Sequence, residues 1–143
     1  MVSKQLSVFI ENRQGSLGNV LSVLRKSNVN ILSLSLADTT EYGLLRLIVN
    51  NPQKGKEELT TAGFSTIITD VLIVKIAHEP GSLQKILEVV SGNEINIEYM
   101  YGLSTGGEEA SVVLKTSDLN KAMEVFKANK IETLTEKDLT VLD

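Results

Sequence analysis

The sequence predicts an α+β fold of two tandem ferredoxin-like βαββαβ units, in each of which two helices cover one face of an antiparallel sheet. Three observations support this fold class. Residues 6–36 and 72–102 share ten identities over thirty-one aligned positions, so the chain repeats itself at an offset of 66 residues. Both copies contain the tripeptide Gly-Ser-Leu, which begins at Gly15 and again at Gly81. In both, an alternating apolar run precedes the tripeptide and apolar residues at helical spacing follow it, which indicates a strand, a turn and a helix.

The first copy has a signal for each of its six elements. Gly15 allows a strand to turn into a helix within a few residues, and we expect Ser16 to cap the first N–H groups of that helix. Pro52 suits the first turn of the second helix, and Gly63 suits its end. The predicted strands are residues 6–10, 29–36, 44–49 and 64–69.

The second copy repeats this order with no linker before it. We therefore expect two domains, residues 1–70 and residues 71–143. We expect Ser117 or Asp118 to cap the last long helix, a hairpin turn at Gly106 and Gly107, and an ambiguous tail at residues 136–139. The predicted strands are residues 71–77, 95–103, 110–115 and 131–134, and the first helix is residues 82–90.

Composition excludes several classes of function. The chain has no Cys and one His, which excludes disulfides and thiolate chemistry and argues against a metal or haem site. A net charge of −4 argues against nucleic acid, whose phosphates are bound by Lys and Arg. No apolar run is long enough for a membrane span, and the N-terminus does not resemble a secretory signal. We therefore expect a cytoplasmic protein without a cofactor.

Two segments in each copy carry a family resemblance. A strand followed by residues 11–17, a helix and then residues 29–31 resembles an ACT domain, and residues 77–83 with 95–97 resemble a second one. The first loop is similar to the regulatory domain of bacterial phosphoglycerate dehydrogenase. The resemblance covers essentially the whole chain, which is similar to small proteins made only of paired ACT domains.

This resemblance implies that a free L-amino acid binds where two ACT domains pair side by side. Its carboxylate would lie at the helix N-termini near Ser16 or Ser82. Carboxamide oxygens would accept from its ammonium, and the motif glycines would let the backbone approach closely. No catalytic residue or metal ligand is implied. The candidate ligand-binding residues are Asn12, Arg13, Gln14, Gly15, Ser16, Leu17, Asn30, Ile31, His78, Glu79, Pro80, Gly81, Ser82, Leu83, Asn96 and Ile97.

The two copies depart differently from the family pattern. Gln14 replaces the proline that usually precedes the motif glycine, whereas Pro80 retains it, and His78 stands where the first copy has Asn12. The two potential sites are therefore unequal, and either one or both can be the binding site. Both glycines also have a purely structural interpretation as turn residues.

The sequence leaves three functions to compare. The first is a stand-alone amino-acid-binding regulatory or sensor protein, expected to be a homodimer and to regulate an enzyme in trans. The second is a ligand-free interaction or assembly module. The third is an acylphosphatase-like enzyme, because Arg13 and Asn30 loosely imitate the catalytic pair of those ferredoxin-like enzymes, but the loop lacks their glycine-rich phosphate cradle. We therefore expect no enzymatic activity.

Overall fold

The computed structural model describes residues 2–11, 13–38, 41–77, 79–104 and 110–141. The chain forms two compact units: an N-terminal unit of Lys4–Thr69 with the residues from Leu139 onward, and a C-terminal unit of Asp70–Asp138 with the residues before Lys4. The elements in chain order are β1 (Ser3–Glu11), α1 (Ser16–Lys26), β2 (Ile31–Asp38), β3 (Tyr42–Val49), α2 (Pro52–Thr61), β4 (Ser65–Ile76), α3 (Ser82–Gly92), β5 (Ile97–Ser104), β6 (Ala110–Thr116), α4 (Leu119–Ala128) and α5 (Glu136–Val141).

The N-terminal unit has the strand order β2-β3-β1-β4 expected of a βαββαβ unit. β3 pairs antiparallel with both β1 and β2. Helices α1 and α2 cover one face of this sheet, because the apolar residues of both helices and of the strands form one cluster. The buried members of that core are Leu6, Val8, Ile10, Val20, Leu24, Val29, Leu45, Leu47, Val49 and Leu59.

The C-terminal unit repeats this arrangement in the order β4-β6-β5, again with antiparallel pairs. Beyond β4, the segment after α4 takes the place of a fourth strand: Lys75 N–H donates to Glu132 O at 3.0 Å and Leu134 N–H donates to Ile73 O at 2.8 Å. Helices α3 and α4 cover one face. The buried members of this core are Leu72, Val74, Ile86, Val90, Ile95, Val112, Leu114, Ala122 and Phe126.

The structure refines the sequence prediction at several element ends. The predicted strand at residues 131–134 is reduced to an isolated bridge between Val74 and Thr133. The ambiguous tail is the short helix α5. Asp118 rather than Ser117 caps α4, because its Oδ1 accepts the N–H of Lys121 at 3.0 Å. The predicted turn at Gly106 and Gly107 lies outside the described residues.

Strand β2 of the N-terminal unit has an irregular start and an apolar exposed side. Its register with β3 shifts between Ile31 and Ser33. Beyond that shift, Leu34 and Leu36 stand opposite the core residues Leu47 and Leu45, yet they are 46% and 47% exposed. β2 is an edge strand of the described sheet order, so these two leucines leave apolar surface uncovered at the edge.

Candidate functional site

The turn between β1 and α1 is held by backbone hydrogen bonds and by one left-handed residue. Gly15 has φ 88° and ψ −12°, a conformation that costs other residues roughly 1–2 kcal/mol. Arg13 N–H donates to Glu11 O at 2.9 Å, and Ser16 N–H donates to Arg13 O at 3.3 Å. Asn19 N–H then donates to Gly15 O at 3.0 Å and starts the helix.

The turn between β4 and α3 has the same backbone. Gly81 has φ 86° and ψ −6°. Glu79 N–H donates to Ala77 O at 2.9 Å, Ser82 N–H to Glu79 O at 3.2 Å, and Lys85 N–H to Gly81 O at 3.1 Å. Each of these bonds matches one in the first turn at the offset of the sequence repeat, so the two turns are structurally equivalent.

The expectation that the serines cap these helices is wrong. Gly15 and Gly81 occupy the N-cap positions, Ser16 and Ser82 are the first helical residues, and neither helix has a side-chain cap or an acidic residue in its first turn. A glycine cap offers no side-chain oxygen to the first N–H groups of the helix. The N–H groups of Ser16 and Ser82 donate within their turns, so the helical N–H groups that follow them are the donors left to solvent or to an anionic group.

The remaining candidates in the two turns have separate surroundings. Arg13 Nε lies 3.2 Å from Glu11 Oε2, and both side chains are exposed. Gln14 and Pro80 are exposed, whereas Leu17 and Leu83 pack against the two cores. Asn12 and His78 lie outside the described residues.

The asparagines Asn30 and Asn96 tie together the ends of neighbouring strands. Asn30 N–H donates to Asn50 Oδ1 at 2.9 Å, and Asn50 N–H donates to Asn30 O at 3.1 Å. Asn96 N–H donates to Ser117 Oγ at 3.2 Å, and Ser117 N–H returns a bond to Asn96 O at 2.9 Å. The backbone of each asparagine therefore has a structural role, and each asparagine is exposed immediately before a strand begins.

Within one unit, the asparagine and the glycine turn are not neighbours. Gly15 precedes the 11 residues of α1 and Asn30 follows them, so they lie at opposite ends of a helix about 16 Å long. Ile31, next to Asn30, packs against the core of its own unit, as does Ile97. The sequence prediction grouped these residues, but a single unit does not bring them together.

The repeated turn and the βαββαβ order agree with a comparison against known families. The family model described as an ACT domain pair matches residues 1–142. The chain belongs to the ACT-domain family. ACT domain pairs are regulatory modules rather than catalytic ones, and the prediction that this chain is not an enzyme is confirmed on that ground.

Solved structures of other proteins share the fold of this ACT pair. Protein BT0572 from Bacteroides thetaiotaomicron is 39% identical over 98% of this chain and 96% of its own, with a TM-score of 0.92. The regulatory subunit of aspartate kinase from Thermus thermophilus is 17% identical over 90% of this chain and 96% of its own, with a TM-score of 0.65. A comparison with curated proteins gave no match. At 17% identity the second likeness shows the fold alone.

Clefts open beside both parts of the ACT motif. Residues from Glu79 to Leu83 line a cleft of about 450 Å³ at the second glycine turn. A larger cleft of about 510 Å³ shares Glu79 and Ser82 with it and extends toward the end of α4. In the N-terminal unit, Asn30 lines a cleft of about 550 Å³ with Arg25, Asn28 and Asn50.

The described residues contain neither a metal-binding cluster nor a membrane-spanning helix. That part of the chain holds no group of three or more His, Cys, Asp or Glu side chains that could bind a metal ion. Its helices are too short or too polar to cross a membrane.

Proposed function

We propose that this ACT pair is a regulatory protein that binds a free amino acid at its glycine turns and acts on a separate partner protein. The observation that carries the proposal is the pair of equivalent turns, each with a glycine at the N-cap and no side-chain cap. An uncapped helix N-terminus favours a carboxylate through its N–H donors and the helix dipole. A Cβ built on Gly15 or Gly81 would meet no atom within 4 Å, so both turns have room for a ligand.

The asparagines supply the second half of the proposed site. Their carboxamide oxygens suit an ammonium group, but Asn30 lies at the far end of α1 from Gly15. We therefore propose that a ligand at one turn meets the asparagine of an ACT domain in a second chain. This arrangement requires a homodimer, which size-exclusion chromatography with light scattering tests: a monomer at high concentration would contradict it.

A screen of the twenty L-amino acids by thermal shift tests the ligand. A ligand at about a hundred times its Kd adds about 2.7 kcal/mol to the free energy of unfolding, which moves the midpoint by several degrees. The variant Asn96→Ala keeps the backbone bonds to Ser117 and should reduce the shift if the asparagine side chain contacts the ligand. Asn120→Ala, on the exposed side of α4, is the matched control.

A ligand-free assembly module is the second candidate, and the exposed Leu34 and Leu36 favour it. An edge strand with uncovered apolar side chains is suited to pairing with another protein chain. If no amino acid shifts the midpoint but the protein self-associates, and Leu34→Lys abolishes that association, the assembly function replaces amino-acid sensing.

A further inference from the structure

We propose that the 510 Å³ cleft of the C-terminal unit binds an acidic amino acid, that is, a ligand with two carboxylates and one ammonium. This inference rests on the proposed function and names its ligand class. The cleft lies between α3 and the segment that follows α4, and its volume is within the range of small-molecule sites. We call it the lysine cleft, and its polar lining is Lys75, Glu79, Ser82, Lys85, Asn129, Lys130 and Glu132.

The charges of the lysine cleft leave two ammonium groups for a ligand. Lys75, which also borders the cleft, is paired with Glu132 at 3.4 Å from Nζ to Oε2. Lys85 and Lys130 have no ion pair with any side chain that the structure describes. Two ammonium groups that line one cleft attract a ligand with two carboxylates more strongly than a ligand with one, because the opposite charges interact pairwise.

The same cleft also offers acceptors for one ammonium. Glu79 has no ion pair among the described side chains. Asn129 donates its Nδ2 to Val125 O at 2.8 Å, which orients the carboxamide and leaves its Oδ1 as an acceptor. Two lysines, one glutamate and one amide oxygen complement the charges of aspartate or glutamate.

The N-terminal unit lacks this set of charges. The backbone bonds at the two turns place Asn19 where the C-terminal unit has Lys85, and Arg13 where it has Glu79. Gly63 ends α2 as Lys130 ends α4, each N–H donating to the residue three positions earlier. Lys130 has φ 56°, which glycine adopts far more readily than lysine. The preference for an acidic ligand therefore belongs to the C-terminal unit.

Calorimetric titration with L-aspartate and L-glutamate, against L-asparagine and L-glutamine at the same ionic strength, tests the charge requirement. We expect an acidic amino acid to bind at least tenfold more tightly than its amide, with affinity falling as salt is added. Lys85→Asn and Lys130→Gly install the residues of the N-terminal unit, and each should weaken binding about tenfold. Lys121→Gln, an exposed lysine outside the cleft, should bind as the parent protein does.

Lys130→Gly also separates lost binding from lost folding. Because Lys130 has a positive φ, glycine at this position should raise the thermal midpoint of the free protein while it weakens binding. Equal binding of an amide and its acid, or unchanged binding by both cleft variants, overturns the acidic-ligand inference and leaves amino-acid sensing intact. Absence of binding by all twenty amino acids overturns both.

Discussion

The two glycine turns have the same backbone but different chemistry around them. Gly15 and Gly81 differ by 2° in φ (88° and 86°), and the three hydrogen bonds of each turn match. The side chains near them differ, since Asn19 is uncharged and its counterpart Lys85 is a cation. The comparison shows that glycine and helix geometry determine the shape of the turn, whereas residues outside the turn determine which ligand it suits.

The two cores compare in the same way. α2 contributes Leu59 and Gly55 where α4 contributes Phe126 and Ala122, as the matching first bonds of the two helices show. A Cβ on Gly55 would lie 3.0 Å from Leu6 Cδ2, so the N-terminal unit has no free space for an alanine side chain at this point. The same fold is therefore filled by different combinations of side-chain volume.

The largest effect we expect comes from truncating Phe126. It is 1% exposed and is the largest fully buried side chain among the described residues, so Phe126→Ala should cost about 3–5 kcal/mol through lost burial and a cavity. Leu59→Ala, at the same place in the N-terminal unit, should cost about 2–5 kcal/mol. Urea unfolding followed by circular dichroism measures both. Exposed Lys127→Ala is the control, and a cost below about 1 kcal/mol for Phe126→Ala would contradict the packing described here.

Alanine at the two turns tests whether they are equivalent. Neither Gly15 nor Gly81 has an atom within 4 Å of a built Cβ, so Gly→Ala should cost only the backbone term, about 1–2 kcal/mol, and the same at both positions. Gly92 lies in α3 without a positive φ, and Gly92→Ala should instead stabilise the protein by up to about 1 kcal/mol. Unequal costs at Gly15 and Gly81 in the same urea experiment would show that one turn is constrained differently.

A buried hydroxyl distinguishes the two cores more subtly. Thr116 ends β6 where Val49 ends β3, and its Oγ1 is buried with no hydrogen-bond partner in the described structure. An unsatisfied buried polar group costs about 1–3 kcal/mol, so Thr116→Val should stabilise the protein by about 1 kcal/mol. The reverse change, Val49→Thr, should destabilise it. If Thr116→Val lowers the denaturant midpoint instead, the hydroxyl has a partner such as a buried water.

Much of this fold could be predicted from sequence because the repeat presents each signal twice. These signals are local: apolar residues alternate in the strands, recur at helical spacing after Gly15, and are followed by Gly63 where α2 ends. The predicted caps Ser16 and Ser82 failed because a left-handed glycine takes the N-cap position and moves each serine one place into the helix. The sequence predicts a full strand at residues 131–134, whereas the structure has an isolated bridge there. Pairing at this segment depends on non-local hydrogen bonds to β4, which local sequence patterns do not reveal.

The candidate site was predicted less completely than the fold. The motif identified both turns, but it gave no reason to consider Asn129 or Lys130, which lie more than forty residues after the second glycine turn. One feature distinguishes Lys130: it occupies the left-handed position after α4, where the N-terminal unit has Gly63 after α2. The separation of Asn30 from Gly15 follows from the length of α1, whose 11 residues lie between them.

The smallest difference we expect between the two copies is a pH-dependent contribution to stability from α5, which only the C-terminal copy has. In the N-terminal copy the fourth strand is the first part of β4, which continues into the C-terminal copy. In the C-terminal copy the corresponding segment, residues 131–134, is followed by α5. Asp138 Oδ2 accepts the N–H of Thr135 at 2.8 Å and its Oγ1 hydroxyl at 3.0 Å, while Asp138 N–H donates to Thr135 Oγ1 at 3.3 Å. This reciprocal arrangement is a capping box at the helix start.

The bonds from the Thr135 backbone and hydroxyl hold the pKa of Asp138 below its ordinary value of 3.8. Because the folded pKa is the lower one, the charged carboxylate stabilises the fold above the unfolded pKa, and this contribution is lost as pH falls through the folded value. The carboxylate is exposed, so Asp138→Asn should cost only a few tenths of a kcal/mol at pH 7. That difference in denaturant midpoint should close as the pH falls through the lowered folded pKa of Asp138, and a difference that stays constant through the acid range would mean that the capping geometry, rather than the charge, stabilises α5.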